Sequence, residues 1–523
     1  MRSHRRIRTL LDKSKRGAAR TIFSRFGLIL LLLGIQFLLM FSVLRWFESF
    51  IPHVFGSSFV FNLLMAIVII NSPSDASAKV TWLIIMMLLP VFGALLYLYT
   101  RLDLGHRALR KRIATISSES RFDLQQSQSV MYALSGESPG ATALARYAAH
   151  CGCHPVWQNT ATTYYPSGEL MLESLIDDLE KASSFIFMEY FIVGEGVMWG
   201  QILEILAQKA KEGVDVRLLI DGTCEFITLT HDYPERLHSL GIQCKYFAPA
   251  KPFISTHYNY RDHRKITVID GQVSYTGGVN LADEYINQVE RFGHWKDVAI
   301  RLQGDAARSF TLMFLQMWSL DGTPLQTQKF LRTPISRQKN ASGFVLPYAD
   351  CPLDGNKVGE RVYIDILNRA ERYVHIITPY LIIDGPMETA IRYAAERGVD
   401  VHLILPGIPD KKSAWWLART HYPALISSGV KISEYTPGFV HAKVFVADDR
   451  EAVVGTINLD YRSLYHHFEC AAYLYNADCI SDIERDFQQT LAECTRMTER
   501  RIIDIPWYQR AAGAILKALA PLM

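Results

Sequence analysis

His263-Arg264-Lys265-Ile266-Thr267-Val268-Ile269-Asp270, followed by Gly277-Gly278-Val279-Asn280, is the stretch that decides how this chain is read. Lys265 to Asp270 is a short β-branched run that predicts a buried strand. Gly271 turns the chain, and Val273 to Thr276 predicts a second strand. His263 and Lys265 stand two apart, so on a strand both face the same way. An imidazole beside an ammonium suits phosphate chemistry: one attacks or moves a proton, the other holds negative charge.

The pattern returns as His441-Ala442-Lys443-Val444-Phe445-Val446-Ala447-Asp448, then Gly455-Thr456-Ile457-Asn458. His441, Lys443, Asp448 and Asn458 each stand 178 residues after His263, Lys265, Asp270 and Asn280. One His-x-Lys-x4-Asp arises by chance in roughly one of every twenty to thirty chains of this length. Two copies with Gly and Asn at matched distances do not.

Outward from the motifs the same order of elements precedes each. Helix 172–182, strand 184–191, helix 200–211 and strand 214–220 are expected in the first half. Helix 364–370, strand 373–378, helix 386–396 and strand 399–405 are expected in the second. KEGVDVRLLIDG at 211–222 echoes ERGVDVHLILPG at 396–407. Strand–helix–strand units with short turns imply parallel pairing. The expected fold class is α/β: two similar domains, 161–335 and 336–500, related as a pseudo-twofold duplication. A connector (101–160) precedes them and a tail (501–523) follows.

At 523 residues the chain is too long for one ordinary core. Its net charge of +3 gives no strong field for nucleic acid, but residues 2–25 carry nine Lys or Arg against Asp12 alone. Cys151-Gly-Cys153-His154 is the one cysteine cluster, and no second ligand pair stands at metal spacing, so buried thiols are expected.

FGLILLLLGIQFLLMFSVL at 26–44 and VTWLIIMMLLPVFGALLYL at 80–98 each have the length and apolarity of a spanning helix. Pro90 and Gly93 would kink the second. The run 54–70 is short and open between a third crossing and a packed helix. Basic residues before the first span and at Arg101, Arg107, Arg110, Lys111 and Arg112 place both flanks on the cytoplasmic side, which favours two crossings with 54–70 not spanning. WYQRAAGAILKALAPLM at 507–523 is a low-charge helical stretch, suited equally to the membrane interface and to docking on the protein.

The residues resemble the phospholipase D superfamily and, within it, the bacterial cardiolipin synthases. NYRDHRK at 259–265, YTGGVN at 275–280, DEY at 283–285, WKD at 295–297, TPY at 378–380 and GTINLDYRS at 455–463 carry the likeness. The resemblance implies that two phosphatidylglycerol molecules condense to cardiolipin and glycerol, in an inner membrane, without metal or other cofactor. It implies one shared site with His263 as nucleophile and His441 as the acid for the leaving glycerol. Lys265, Lys443, Asn280 and Asn458 would hold phosphate oxygens, and Asp297 and Glu469 would each stand behind a His.

Asp270 and Asp448 complete the motifs and are carried with the catalytic set. Each ends its strand facing away from the Lys, so a structural role at the turn is weighed above catalysis. Tyr258, Tyr260 and the aromatic of WKD are open between lipid contact and core. Arg261 and Arg264 are open between headgroup contact and a solvated face. His231, His257, His402, His421, His466 and His467 read as structural. A hydrolase releasing phosphatidic acid is the main alternative. A nuclease would want basic grooves with stacking aromatics, and a dead lipid-binding scaffold would be expected to have lost a His or Lys.

Overall fold

The computed structural model describes residues 25–522, apart from 56, 103, 153, 250–259, 337, 339 and some side chains. The basic segment before residue 25, Cys153, His257, Tyr258 and Asn259 lie outside the described residues.

The N-terminal region is helical: α1 (Arg25–Phe55), α2 (Ser58–Ile70), α3 (Ala76–Leu88) and α4 (Phe92–Leu102). The stretch read as a single span at 80–98 is broken. Pro90 cannot donate to the helix ladder, and Val91 next to it has φ +63°. The run at 54–70 forms only the 13-residue α2, about 20 Å long at 1.5 Å per residue, against a hydrocarbon core of about 30 Å. Among the described residues no helix is long and apolar enough to cross a membrane. Helices Leu104–Ser120, Gln128–Glu137 and Pro139–Gly152 make up most of the connector.

The rest is a duplicated mixed α/β fold. The first half holds β1 (Thr160–Tyr165), α5 (Gly168–Glu180), β2 (Phe185–Tyr190), α6 (Val197–Lys211), β3 (Asp215–Asp221), β4 (Gln243–Phe247), β5 (Arg261–Asp262), β6 (Lys265–Ile269), β7 (Val273–Gly277), β8 (His294–Lys296), β9 (Ala299–Gly304) and α7 (Ala307–Trp318). The second holds β10 (Phe344–Asp350), α8 (Val358–Arg369), β11 (Tyr373–Ile377), β12 (Leu381–Ile382), α9 (Gly385–Glu396), β13 (Asp400–Pro406), β14 (Lys431–Tyr435), β15 (Gly438–Val440), β16 (Val444–Ala447), β17 (Glu451–Gly455), β18 (Leu459–Asp460), β19 (His467–Tyr475) and β20 (Cys494–Arg496). The first sheet runs β1-β9-β7-β6-β2-β3-β4 and the second β10-β19-β17-β16-β11-β13-β14-β20.

Along these two strand orders pairing is parallel where helices cross over: β2 with β3, β3 with β4, β11 with β13 and β13 with β14. Both motif strands, β6 and β16, pair antiparallel with β2 and β11, and the strands beyond them follow as antiparallel neighbours. The sheets are therefore mixed rather than parallel throughout. β6 and β16 are buried along their whole length, which explains why they read as continuous β-branched and aromatic runs instead of alternating ones.

The halves share one core between their sheets. Phe187, Phe310 and Phe314 from the first pack with Val444, Val454 and Phe468 from the second. Phe187 stacks on Phe314 at 4.5 Å between ring centres. Burying such rings stabilises by about 2–3 kcal/mol each, so the halves stand as one body. The C-terminal helix α10 (Trp507–Leu519) docks on the protein: a Cβ at Gly513 would lie 2.5 Å from the Trp416 carbonyl, and Thr81 Oγ1 of α3 donates to the Ala518 carbonyl at 2.7 Å. Its other face leaves Trp507, Tyr508 and Ile515 exposed.

Candidate active site

The short strand before each motif histidine pairs with the opposite half. β5 runs parallel to the start of β19, and β15 runs parallel to β8. At the end of each pairing the histidine backbone N–H continues the ladder: His263 donates to the Phe468 carbonyl at 3.0 Å, and His441 to the Lys296 carbonyl at 2.7 Å. Phe468 and Lys296 immediately precede Glu469 and Asp297. Each imidazole is thereby set against the carboxylate of the other half. His263 Nδ1 lies 3.0 Å from Glu469 Oε2, and His441 Nδ1 lies 2.7 Å from Asp297 Oδ2. Both carboxylates are fully buried.

Lys265 begins β6, and Lys443 stands one residue ahead of β16. Lys265 Nζ donates to the His263 carbonyl at 2.6 Å, and Lys443 Nζ donates to the His441 carbonyl. Lys265 and Lys443 are each 1 % exposed. His263 and His441 thus stand just ahead of the strands rather than on them. What aligns each pair is the cross-half ladder and the Lys–carbonyl bond, not strand alternation.

Burial sets the proton affinities. It pulls Lys265 down to about 8 and, with Lys265 as a like-charged neighbour, Lys443 down to about 7. Burial and then Lys443 hold His441 at about 4, against the pull of Asp297. Burial, then Lys265 and Lys443, hold His263 well below its ordinary value. Burial would raise Asp297, but His441 and Lys443 keep it below the usual carboxylate range. The site therefore presents two neutral imidazoles hydrogen-bonded to carboxylates beside two buried lysines, Lys265 mostly protonated and Lys443 near its midpoint at neutral pH. Such a gap can take up a phosphodiester, attack it with one imidazole and exchange a proton through the other.

The asparagines are not equivalent. Asn280 is committed within the protein: Oδ1 accepts from Ile192 N–H at 3.0 Å and Nδ2 donates to Tyr285 Oη at 2.7 Å. Asn458 is buried with Oδ1 lacking a hydrogen-bond partner. The glycine pair meets protein rather than open space. A Cβ at Gly277, where φ is +150°, would lie 2.4 Å from the Val298 carbonyl, and one at Gly278 would lie 1.9 Å from Asp297 Oδ1. The residue matching Gly278 in the other copy is Thr456, and its hydroxyl donates to Glu469 Oε2.

Asp270 and Asp448 are not brought to this site. Each sits at φ just above +50° where its strand ends, about 16 Å from the Lys by strand rise. Asp270 accepts the backbone N–H groups of Ser183, Ser184 and Phe185 at 2.7–2.8 Å. Asp448 does the same for Glu371, Arg372 and Tyr373. Both tie the motif strand to the start of its neighbour, which corrects their place in the catalytic set.

Arg261 and Arg264 are neither solvated nor free for a headgroup. Arg261 lies beside Asp221 and donates to the Ala248 carbonyl; buried Arg264 donates to the Glu469 carbonyl at 3.1 Å and faces Glu189. Trp295 of WKD is buried against Tyr285 and Phe439 and walls His441 at 5.4 Å between ring centres. Half-buried Tyr260 packs near His466. His402 and His421 bond to Ser433 and Glu388, as structural histidines do. His467 does not fit that reading: its ring lies 5.2 Å from that of His263. It stands two residues before Glu469 on β19, and strand alternation from that acid was the signal that could have found it.

Residues 175–318 and 363–491 match the family described as cardiolipin synthase, PLD-like domain, and residues 60–101 match the phospholipase D-nuclease N-terminal family. A cardiolipin synthase of Geobacillus kaustophilus is 33 % identical over 463 residues, 88 % of this chain and 92 % of that protein. An uncharacterized protein of Streptococcus mutans is 51 % identical over 87 % of this chain and 98 % of its own length. Among solved structures, the phosphatidylserine synthase of Haemophilus influenzae aligns with 69 % of this chain and 93 % of its own, at a TM-score of 0.53 and 17 % identity, a likeness of fold.

Proposed function

The chain belongs to the PLD-like cardiolipin synthase family, and on that premise we propose that it transfers a phosphatidyl group from one phosphatidylglycerol to another, giving cardiolipin and glycerol. The observation that carries the reading is the pair of buried imidazoles, each bonded to a carboxylate of the opposite half, beside two buried lysines.

In the proposed reaction the substrate phosphodiester lies between the lysines, which offset the charge developing on its oxygens. Nε2 of neutral His263 attacks phosphorus. The bond from phosphorus to the glycerol oxygen breaks, a phosphorus–nitrogen bond forms, and the departing oxygen takes a proton from His441. A hydroxyl of the second phosphatidylglycerol then gives its proton to His441 and attacks phosphorus, releasing Nε2. Glu469 and Asp297 keep the proton on Nδ1 of each ring.

Before substrate binds, His441 sits at about 4. A phosphate charge about 4 Å away would raise it by roughly 3 units at an effective dielectric of 20, so substrate binding itself would arm the acid. We also propose that the N-terminal region anchors the enzyme in the inner membrane, with 101–523 on the cytoplasmic side, from the basic flanks. Exposed Trp507, Tyr508 and Ile515 suit α10 to the same surface.

The test is incubation of the purified full chain with phosphatidylglycerol alone and mass spectrometry of the products. Cardiolipin and glycerol in equal amounts are expected; phosphatidic acid without cardiolipin would instead favour hydrolysis.

A further inference from the structure

Beside the proposed nucleophile lies a third imidazole that the transfer reaction does not use. His467 is 7 % exposed, and neither ring nitrogen has a hydrogen-bond partner. A buried imidazole left in this way forfeits about 1–3 kcal/mol, which a bound cation would recover. Glu469 Oε1 lies 3.6 Å from His467 Nδ1, too long for a hydrogen bond. That oxygen accepts no well-aligned hydrogen bond; those of Thr456 and His263 are directed at Oε2. His263 Nδ1 lies 3.0 Å from the same Oε1. One donor atom from each of His263, His467 and Glu469 therefore falls within 4.8 Å of the other two, all three residues buried.

We propose that His263, His467 and Glu469 form a binding site for a zinc-class divalent cation, and that its occupation switches the enzyme off. Two imidazoles and one carboxylate are a donor set for zinc or its first-row neighbours rather than for magnesium or calcium, which take oxygen. Tetrahedral zinc with bonds near 2.1 Å brings its donors to about 3.4 Å of one another. The separations of 3.0 and 3.6 Å bracket that value, and the third pair, the two imidazoles, lies within 4.8 Å.

Inhibition follows from the imidazole's single available lone pair. A cation on Nδ1 of His263 displaces the proton held toward Glu469 and leaves it on Nε2, which then has no lone pair to attack phosphorus. A cation on Nε2 blocks the attacking atom itself. The metal is no part of the transfer reaction, and its removal restores the nucleophile.

Binding is measured on the full chain in detergent, with zinc sulfate competing against a chromophoric chelator and with cobalt followed by its visible absorption. This readout does not depend on which lipid reaction the enzyme performs. One zinc per chain is expected in the parent, and His467→Asn should bind more weakly by roughly a hundredfold or more. Zinc should suppress turnover of the parent over the range in which it binds, with chelator restoring it, while the ratio of turnover with and without zinc in His467→Asn should move little. If His467→Asn lacks a cooperative melting transition, His263→Asn removes a different ligand and carries the binding test. Equal affinity in parent and variant, or no binding by the parent, would overturn the proposal.

Discussion

Replacing Asp297 by Asn removes one charge from beside His441 while keeping the side chain's shape. The carboxylate oxygen stands 2.7 Å from Nδ1, which puts the centres of charge about 4 Å apart. At an effective dielectric of 20 that interaction is about 4 kcal/mol, or roughly 3 pKa units. His441, already held at about 4 by burial and Lys443, would fall far out of the working range. Its protonated fraction in the substrate complex would drop by about 10³, and turnover of phosphatidylglycerol with it. A phosphatidyl nitrophenol substrate needs no proton on its leaving group, so release of nitrophenolate in the first step should fall by only about tenfold or less. Glu469→Gln disturbs the other imidazole and should slow both substrates alike. The assay is single-turnover kinetics on the two substrates. Equal losses for Asp297→Asn on both, or a loss under about tenfold on phosphatidylglycerol, would refute the assignment of His441 as acid.

Asp270→Ala strips acceptors from three backbone N–H groups. It should cost about 3 kcal/mol of stability by chemical denaturation, with turnover per folded molecule changed little; a large loss of turnover at unchanged stability would return Asp270 to the catalytic set. Burial raises Asp262 toward about 7 and lifts its neighbour Glu189 as well. The folded state therefore holds a proton that the unfolded chain releases near pH 4, so the stability this pair contributes falls as pH rises from about 4 to 7. The melting temperature of the parent should exceed that of Asp262→Asn by more at pH 5.5 than at pH 7, a comparison in which the opposing contribution of the buried neutral histidines cancels; an equal difference at both pH values would place the proton elsewhere. Single cysteines placed at residues 5 and 121 in a cysteine-free background should both resist a membrane-impermeant thiol reagent applied to intact cells, and labelling of the second alone would mean that 54–70 crosses after all.

The duplication was legible because all four chemical residues of the motif repeat at one spacing, and because 211–222 and 396–407 echo each other in letters. The antiparallel pairing of β6 with β2 was not legible, since a buried strand reads the same in either direction. Strand alternation suggested that His263 and Lys265 share a strand face, whereas the histidine is held by the other half's β19, a contact between segments some 200 residues apart. The carboxylates behind the histidines came from family resemblance alone, as no local pattern joins Asp297 to His441. Arg264 was misjudged because charge in a sequence signals solvent, while here Glu189 and the Glu469 carbonyl take it inside. At 80–98 a single helix kinked at Pro90 and Gly93 was expected, and the break there is complete enough to leave two.

The most direct test is to catch the covalent intermediate. His441→Ala is mixed with phosphatidyl nitrophenol, quenched within milliseconds and digested under alkaline conditions, and the peptides are mapped by mass spectrometry. A phosphatidyl group on the peptide that carries His263, absent from the His263→Ala/His441→Ala double variant, is the predicted result. A phosphatidyl group on any other residue, or nitrophenol released with no covalent adduct at any quench time, would contradict transfer through His263.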